Sequence, residues 1–142
     1  MSQEPARTSP TIIHEALVPP DGWNDPMRGR VKWRTLFSQG LTPTEAITCG
    51  VAEFRPGDHL ERHRHAPPEV YYVVAGEGVV YLDGSEILVK AGAAVFIPGM
   101  AEHGVRQTGE ATLRIFYVFA VDTFDRVEYL FKDPAEGAMI LE

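Results

Sequence analysis

Three histidines and one glutamate stand at spacings that suit a metal ion: His63, His65 and Glu69 in one short run, and His103 further on. Imidazole nitrogens and a carboxylate oxygen are the donors that divalent transition metals take. Side chains two apart on a strand point to one face, roughly 6 to 7 Å apart along the chain. His63 and His65 are therefore expected to face one way together. Between His65 and Glu69, the run Ala66-Pro67-Pro68 breaks the ladder, since proline cannot donate and restricts the residue before it. The resulting bend swings Glu69 back towards the histidines. Beyond it, Glu69, Tyr71 and Val73 share one face of the next strand, and Val70, Tyr72 and Val74 the other. Tyr71 is thus expected in the same cavity as the metal.

That placement matters chemically. Four protein ligands on a metal able to take five or six leave open positions, where it can polarise a carboxylate or carbonyl or bind dioxygen. A phenol with a pKa near 10 is a poor base unless a nearby cation favours its anion. Beside a divalent metal, Tyr71 can remove the proton next to a bound carboxylate, and a leaving group on the following carbon then departs by β-elimination.

The elements that must hold these residues are strands. Runs rich in Val, Ile, Tyr, Phe and Thr recur at Val31 to Phe37, Ala46 to Phe54, Val70 to Val74, Gly78 to Leu82, Glu86 to Val89, Ala94 to Ile97, His103 to Gln107 and Leu113 to Ala120. Many short strands at close spacing predict an all-β barrel or sandwich. Asp83-Gly84 is a hairpin turn signal, and Arg55-Pro56-Gly57-Asp58 and Pro98-Gly99 are further turns. No stretch keeps a helical period, although Asp122 to Phe131 can hold a helical turn or a closing strand.

Eight of these positions together resemble the two-part pattern of the cupin superfamily, G-x5-H-x-H-x3-E-x6-G followed by G-x5-P-x4-H: Gly57, His63, His65, Glu69, Gly76, then Gly92, Pro98 and His103. The resemblance implies a single-domain jelly-roll barrel with His63, His65, Glu69 and His103 as inward metal ligands. Two positions depart from the pattern, Met100 where glycine is usual and Gln107 where asparagine is usual; neither is a ligand. With Tyr71 added, the set is similar to the cupin-type dimethylsulfoniopropionate lyases, whose motif runs H-x-H-x3-E-x-Y with a distant third histidine. The resemblance implies iron(II) or another divalent ion (manganese, nickel, zinc or copper), Tyr71 as the base, and dimethyl sulfide and acrylate as products. Aromatic faces favour a sulfonium cation, and Trp33, Tyr81, Phe96, Phe116 and Tyr117 are candidates to line the cavity. His59 can join the inward face with His63, although it follows a turn and reads as exposed. Three other readings stay open: an iron(II) dioxygenase using the same ligands, a metal-dependent isomerase of a sugar acid, and a non-catalytic ligand-binding cupin.

Composition bounds the setting. A chain of 142 residues with 44% hydrophobic content buries one core, and the Pro-, Ser- and Thr-rich stretch 1–29 reads as an arm on the barrel 30–142. The formal net charge of -7 excludes a nucleic-acid partner of the usual basic kind, and Arg62 and Arg64 alternate away from the cavity. The expected partner is a small carboxylate. One cysteine, Cys49, fits a buried site in a reducing cytoplasm. No run reaches the roughly 20 apolar residues of a membrane span. The arm offers a strand to exchange in a homodimer.

Overall fold

The computed structural model describes residues 8–132 and 139–141. A 3-10 turn at Glu15–Leu17 leads into β1 (Asp21–Asp25), β2 (Gly29–Phe37), β3 (Thr48–Phe54), β4 (His59–Arg64), β5 (Glu69–Ala75), β6 (Glu77–Leu82), β7 (Ser85–Lys90), β8 (Ala94–Ile97), β9 (His103–Thr108) and β10 (Leu113–Phe119). A second 3-10 turn, Phe124–Arg126, precedes β11 (Leu130–Lys132) and β12 (Met139–Leu141), so the stretch Asp122 to Phe131 holds both a helical turn and a closing strand. The strands form one antiparallel sheet in the order β7-β6-β9-β4-β2-β3-β10-β5-β8, with β1 added on β2 and β11 on β4. This is the expected all-β architecture, a sheet curled around its own inner face. Among the described residues no helix is long and apolar enough to cross a membrane.

Alternation sorts the side chains. On β10, Leu113, Ile115, Tyr117 and Phe119 are buried, while Arg114, Phe116 and Val118 between them are half-buried on the outer face. On β5, Glu69, Tyr71 and Val73 point in, and Val70, Tyr72 and Val74 stand exposed outside. Removing an aliphatic side chain such as Leu113 or Val73 from water contributes about 1.5 to 3 kcal/mol, and these residues anchor the wall that carries the site.

The turns take the conformations their residues permit. Asp83 and Gly84 both have positive φ, 44° and 91°, the type I′ geometry that matches the twist of the β6–β7 hairpin. Pro56 and Gly57 form the turn before β4, with Gly57 at φ 88° and the Asp58 N–H donating to the Arg55 carbonyl at 2.8 Å. Buried Asp58 then accepts from the Arg30 guanidinium and the Arg55 backbone N–H.

Gln107, one of the two departures from the cupin pattern, does an amide's work. Its Nε2 donates to the Gly109 and Ala111 carbonyls at 3.0 and 2.8 Å, and its Oε1 accepts from the Gly57 N–H at 3.4 Å. At the other departure the expected turn forms over Pro98, Gly99 and Met100, closed by the Ala101 N–H donating to the Pro98 carbonyl at 3.1 Å. Met100 itself adopts the left-handed conformation, φ 65°, whereas Gly99 is needed because a Cβ there would collide with the Ala66 carbonyl.

Candidate metal centre and cavity

The histidines come from three places. His63 lies near the end of β4 and faces His103, its register partner at the start of β9, and His65 follows one step beyond β4. The β4–β9 pairing contains a bulge: Leu60 pairs with Val105 and His63 with His103, so β4 carries one extra residue. This extra residue turns both Leu60 and His63 inward, three positions apart. Simple alternation would have grouped His59 with His63. Instead His59 stands outside and pairs with Glu61 at 2.9 Å. Gly104 sits opposite the bulge, where a Cβ would come within 2.9 Å of the Leu60 carbonyl.

His63, His65 and His103 are all buried, and their donor atoms lie within 4.8 Å of one another. Each Nδ1 is 2.8 Å from a backbone carbonyl, that of Glu61, Pro67 and Ala101 respectively. A carbonyl only accepts, so each Nδ1 carries the proton and each Nε2 presents its lone pair. Glu69, at the start of β5, brings Oε1 to 3.2 Å from His65 Nε2 and 3.3 Å from His103 Nε2. Neither Nε2 makes an aligned hydrogen bond with it. Buried nitrogens close to a carboxylate yet without a hydrogen bond are the pattern left when lone pairs converge on a common point. The donor set therefore fits a metal ion. Burial, reinforced by His103 and His65, holds the His63 imidazole well below its ordinary pKa, in the neutral form a metal requires.

Tyr71 enters the same cavity, its ring centroid 6.2 Å from that of His103. Burial pushes its phenol well above 10, and the Glu69 carboxylate adds to the shift. The cavity is lined by His63, Glu69 and Tyr71 together with a largely aromatic wall. Of the aromatic candidates, Trp33 and Tyr117 line it. Tyr81 lies outside beneath the Arg62 guanidinium, Phe96 is 63% exposed and Phe116 points outward.

Sequence reasoning missed several wall residues. Trp23 of β1 lines the cavity, as do Phe119, Phe124 and Tyr129. The Tyr129 ring lies 5.1 Å from His63 and 5.3 Å from His65, and Phe131, paired with His63 across β11 and β4, is 5.2 Å away. Burial and the nearby Glu69 raise the Tyr129 phenol well above 10. The aromatic density of residues 124–131 was the available signal, but nothing local to it shows that β11 returns to β4.

A curled antiparallel sheet that projects three histidines and a carboxylate inward from one end defines a class. The chain belongs to the cupin family, whose cupin domain model matches residues 50–119, from β3 to the end of β10. Dimethylsulfoniopropionate lyase DddW of Ruegeria pomeroyi is 43% identical over 122 residues, covering 86% of this chain and 80% of the lyase. An oxalate-binding protein of Thermotoga maritima is 28% identical over 92 residues, 64% of this chain and 76% of its own. In fold, the chain matches the crystal structure of a predicted oxalate decarboxylase from Thermotoga maritima with a TM-score of 0.71 at 23% identity, covering 78% of this chain and 99% of that one.

Proposed function

We propose that the protein is a metal-dependent lyase that cleaves dimethylsulfoniopropionate to dimethyl sulfide and acrylate. The observation that carries this reading is the 43% identity to a dimethylsulfoniopropionate lyase over most of both chains. The cavity shared by Tyr71, Glu69 and His63 of the histidine cluster supplies its chemistry.

His63, His65, His103 and Glu69 would hold the ion, iron(II) in the favoured reading, with manganese, nickel, zinc and copper accepted by the same donors. Bound there, a divalent ion supplies a Lewis acid that acidifies the C–H beside a substrate carboxylate and a positive charge that favours phenolate at Tyr71. The rest falls to the chain. Tyr71, desolvated on β5, is strongly basic once ionised and takes the α-proton. The released electron pair forms the carbon–carbon double bond, the Cβ–S bond breaks with its pair going to sulfur, and dimethyl sulfide leaves. The aromatic wall excludes water from this step. A homodimer, a cytoplasmic setting and the division into an arm, 1–29, and a barrel, 30–142, belong to the same proposal. The buried free thiol of Cys49 suits the cytoplasm, and exposed Val70, Tyr72 and Val74 on the outer face of β5 suit a subunit contact.

The test is headspace dimethyl sulfide from anaerobic, iron(II)-loaded protein given dimethylsulfoniopropionate. Dimethyl sulfide with equimolar acrylate is expected, and Tyr71→Phe should lower kcat by about 10² to 10⁴ while keeping its metal. No release with any of the five metals would sink the lyase reading.

A further inference from the structure

The cavity is chemically lopsided. His63, Glu69 and Tyr71 occupy one side, whereas Trp23 and Trp33, the only two tryptophans of the chain, stand together in the remaining wall. The Trp23 and Trp33 rings meet edge to face with centroids 4.8 Å apart, and Trp23 meets Tyr129 in the same way at 5.0 Å. Trp33 continues the wall by stacking near Phe124 at 6.0 Å. Among the described lining residues the oxygens are the Glu69 carboxylate and the phenols of Tyr71, Tyr117 and Tyr129, and the two indoles offer no acceptor. The Arg28 guanidinium lies 5.2 Å from the Trp23 ring centroid and is held by Asp25 at 2.7 Å.

Such a wall discriminates between kinds of cation. A primary ammonium brings three N–H donors, and losing their water without acceptors is costly. A sulfonium or quaternary ammonium has no N–H to satisfy and presents diffuse charge to ring faces, Trp being the strongest of them. A neutral group of the same shape gains the apolar contact alone.

We infer that Trp23 and Trp33 form a recognition wall for a permanently charged onium group, so that the cavity selects onium carboxylates over both primary-ammonium and uncharged analogues. This deepens the lyase reading and rests on it for placing the substrate carboxylate at the histidine side. It extends the ligand class to quaternary-ammonium carboxylates of the same length. It also makes β1, through Trp23, part of the site. Both tryptophans are specificity-determining residues, with no part in moving the proton.

The tryptophans also provide the readout. Zinc-loaded protein is titrated by intrinsic fluorescence with 3-(trimethylammonio)propionate, with its uncharged carbon isostere 4,4-dimethylpentanoate, and with β-alanine. The onium is expected to bind about tenfold more tightly than the isostere, and β-alanine more weakly than either. Trp23→Leu and Trp33→Leu each leave one reporter indole, and each should shrink the onium-to-isostere ratio towards one. The ratio separates charge recognition from lost apolar area, which affects both ligands alike. Repeating the pair with dimethylsulfoniopropionate and 4-methylpentanoate, scored as KM and as inhibition constant in dimethyl sulfide release, distinguishes sulfonium from ammonium. Equal binding of onium and isostere, equal binding of β-alanine, or a ratio unchanged in both variants would overturn the inference. Absence of dimethyl sulfide release with the fluorescence ratio intact would instead remove the lyase reading and leave an onium-binding cavity.

Discussion

The two walls of the cavity are built in different ways. The histidine wall comes from β4 and the turn after it, β5 and β9, and its donors are oriented by backbone carbonyls within two residues of each histidine. The aromatic wall draws on β1, β2, β10 and the segment after β10, and its rings are positioned by one another at centroid distances of 4.8 to 6.0 Å. The first wall is locally specified and polar; the second is specified only by the folded sheet. Damage to the first should remove chemistry with little loss of fold. Damage to the second should alter stability and selectivity while leaving the metal in place.

The largest effect tests the polar wall. His103→Ala removes a donor that meets His63 directly across β4 and β9. Even outer partners of a metal ligand typically cost 10- to 100-fold in affinity or activity, so loss of the ligand itself should exceed about 100-fold. Metal content after dialysis should fall together with dimethyl sulfide release, while the metal-free protein should still unfold in one cooperative transition, at a temperature lowered by the cavity left at this buried site. A variant that retained stoichiometric metal would show that His103 is no ligand.

On the aromatic side the expected loss is stability. A Cβ on Gly50 would collide with the Tyr117 hydroxyl and with the Arg34 carbonyl, and the latter is backbone that cannot rotate away. Overpacking of this kind costs about 1 to 3 kcal/mol. Gly50→Ala should therefore lower the urea midpoint while retained protein still binds metal. An unchanged midpoint would mean that β2, β3 and β10 yield more easily than their packing implies.

How far each wall could be read from the sequence follows from the same difference. His63, His65, Glu69 and Tyr71 were legible because alternation and a proline bend operate over a few residues, and burial of all four on the inner side agrees with that reading. His59 was ambiguous because alternation has no way to anticipate the extra residue between Leu60 and His63. Most strands were recognisable from their β-branched and aromatic runs. β1 was not, since Asp21-Gly-Trp-Asn-Asp25 has one apolar residue and owes its conformation to pairing with β2. Trp23 was missed with it. Tyr129 and Phe131 were missed because their approach to His63 depends on β11 meeting β4, a contact between distant parts of the chain.

Tyr117 offers a finer test of the aromatic wall. Burial raises its phenol above the ordinary value near 10. Above pH 10 the unfolded chain loses this proton and the folded one keeps it, so the folded state binds more protons and stability falls as pH rises from that point. The contribution approaches about 1.4 kcal/mol per pH unit until the folded phenol ionises. Urea unfolding at pH 9 and 11 should show wild type losing more stability than Tyr117→Phe. Equal losses would place the Tyr117 hydroxyl in contact with water.

The smallest effect lies beside the polar wall, at Met100. Its φ of 65° is left-handed, and its backbone N–H donates to the His65 carbonyl at 2.8 Å, so the turn helps hold the strand end from which His65 projects. An L-residue in this conformation costs about 1 to 2 kcal/mol, and glycine removes that cost while giving back roughly 0.5 to 1 kcal/mol in unfolded-chain entropy. The Met100 side chain is 45% exposed, so the burial lost with it offsets part of the gain. Met100→Gly should therefore raise stability by no more than about 0.5 kcal/mol, with metal content and dimethyl sulfide release unchanged. A stability gain accompanied by weaker metal binding would show that the methionine, and with it the departure from the cupin pattern, sets the position of His65.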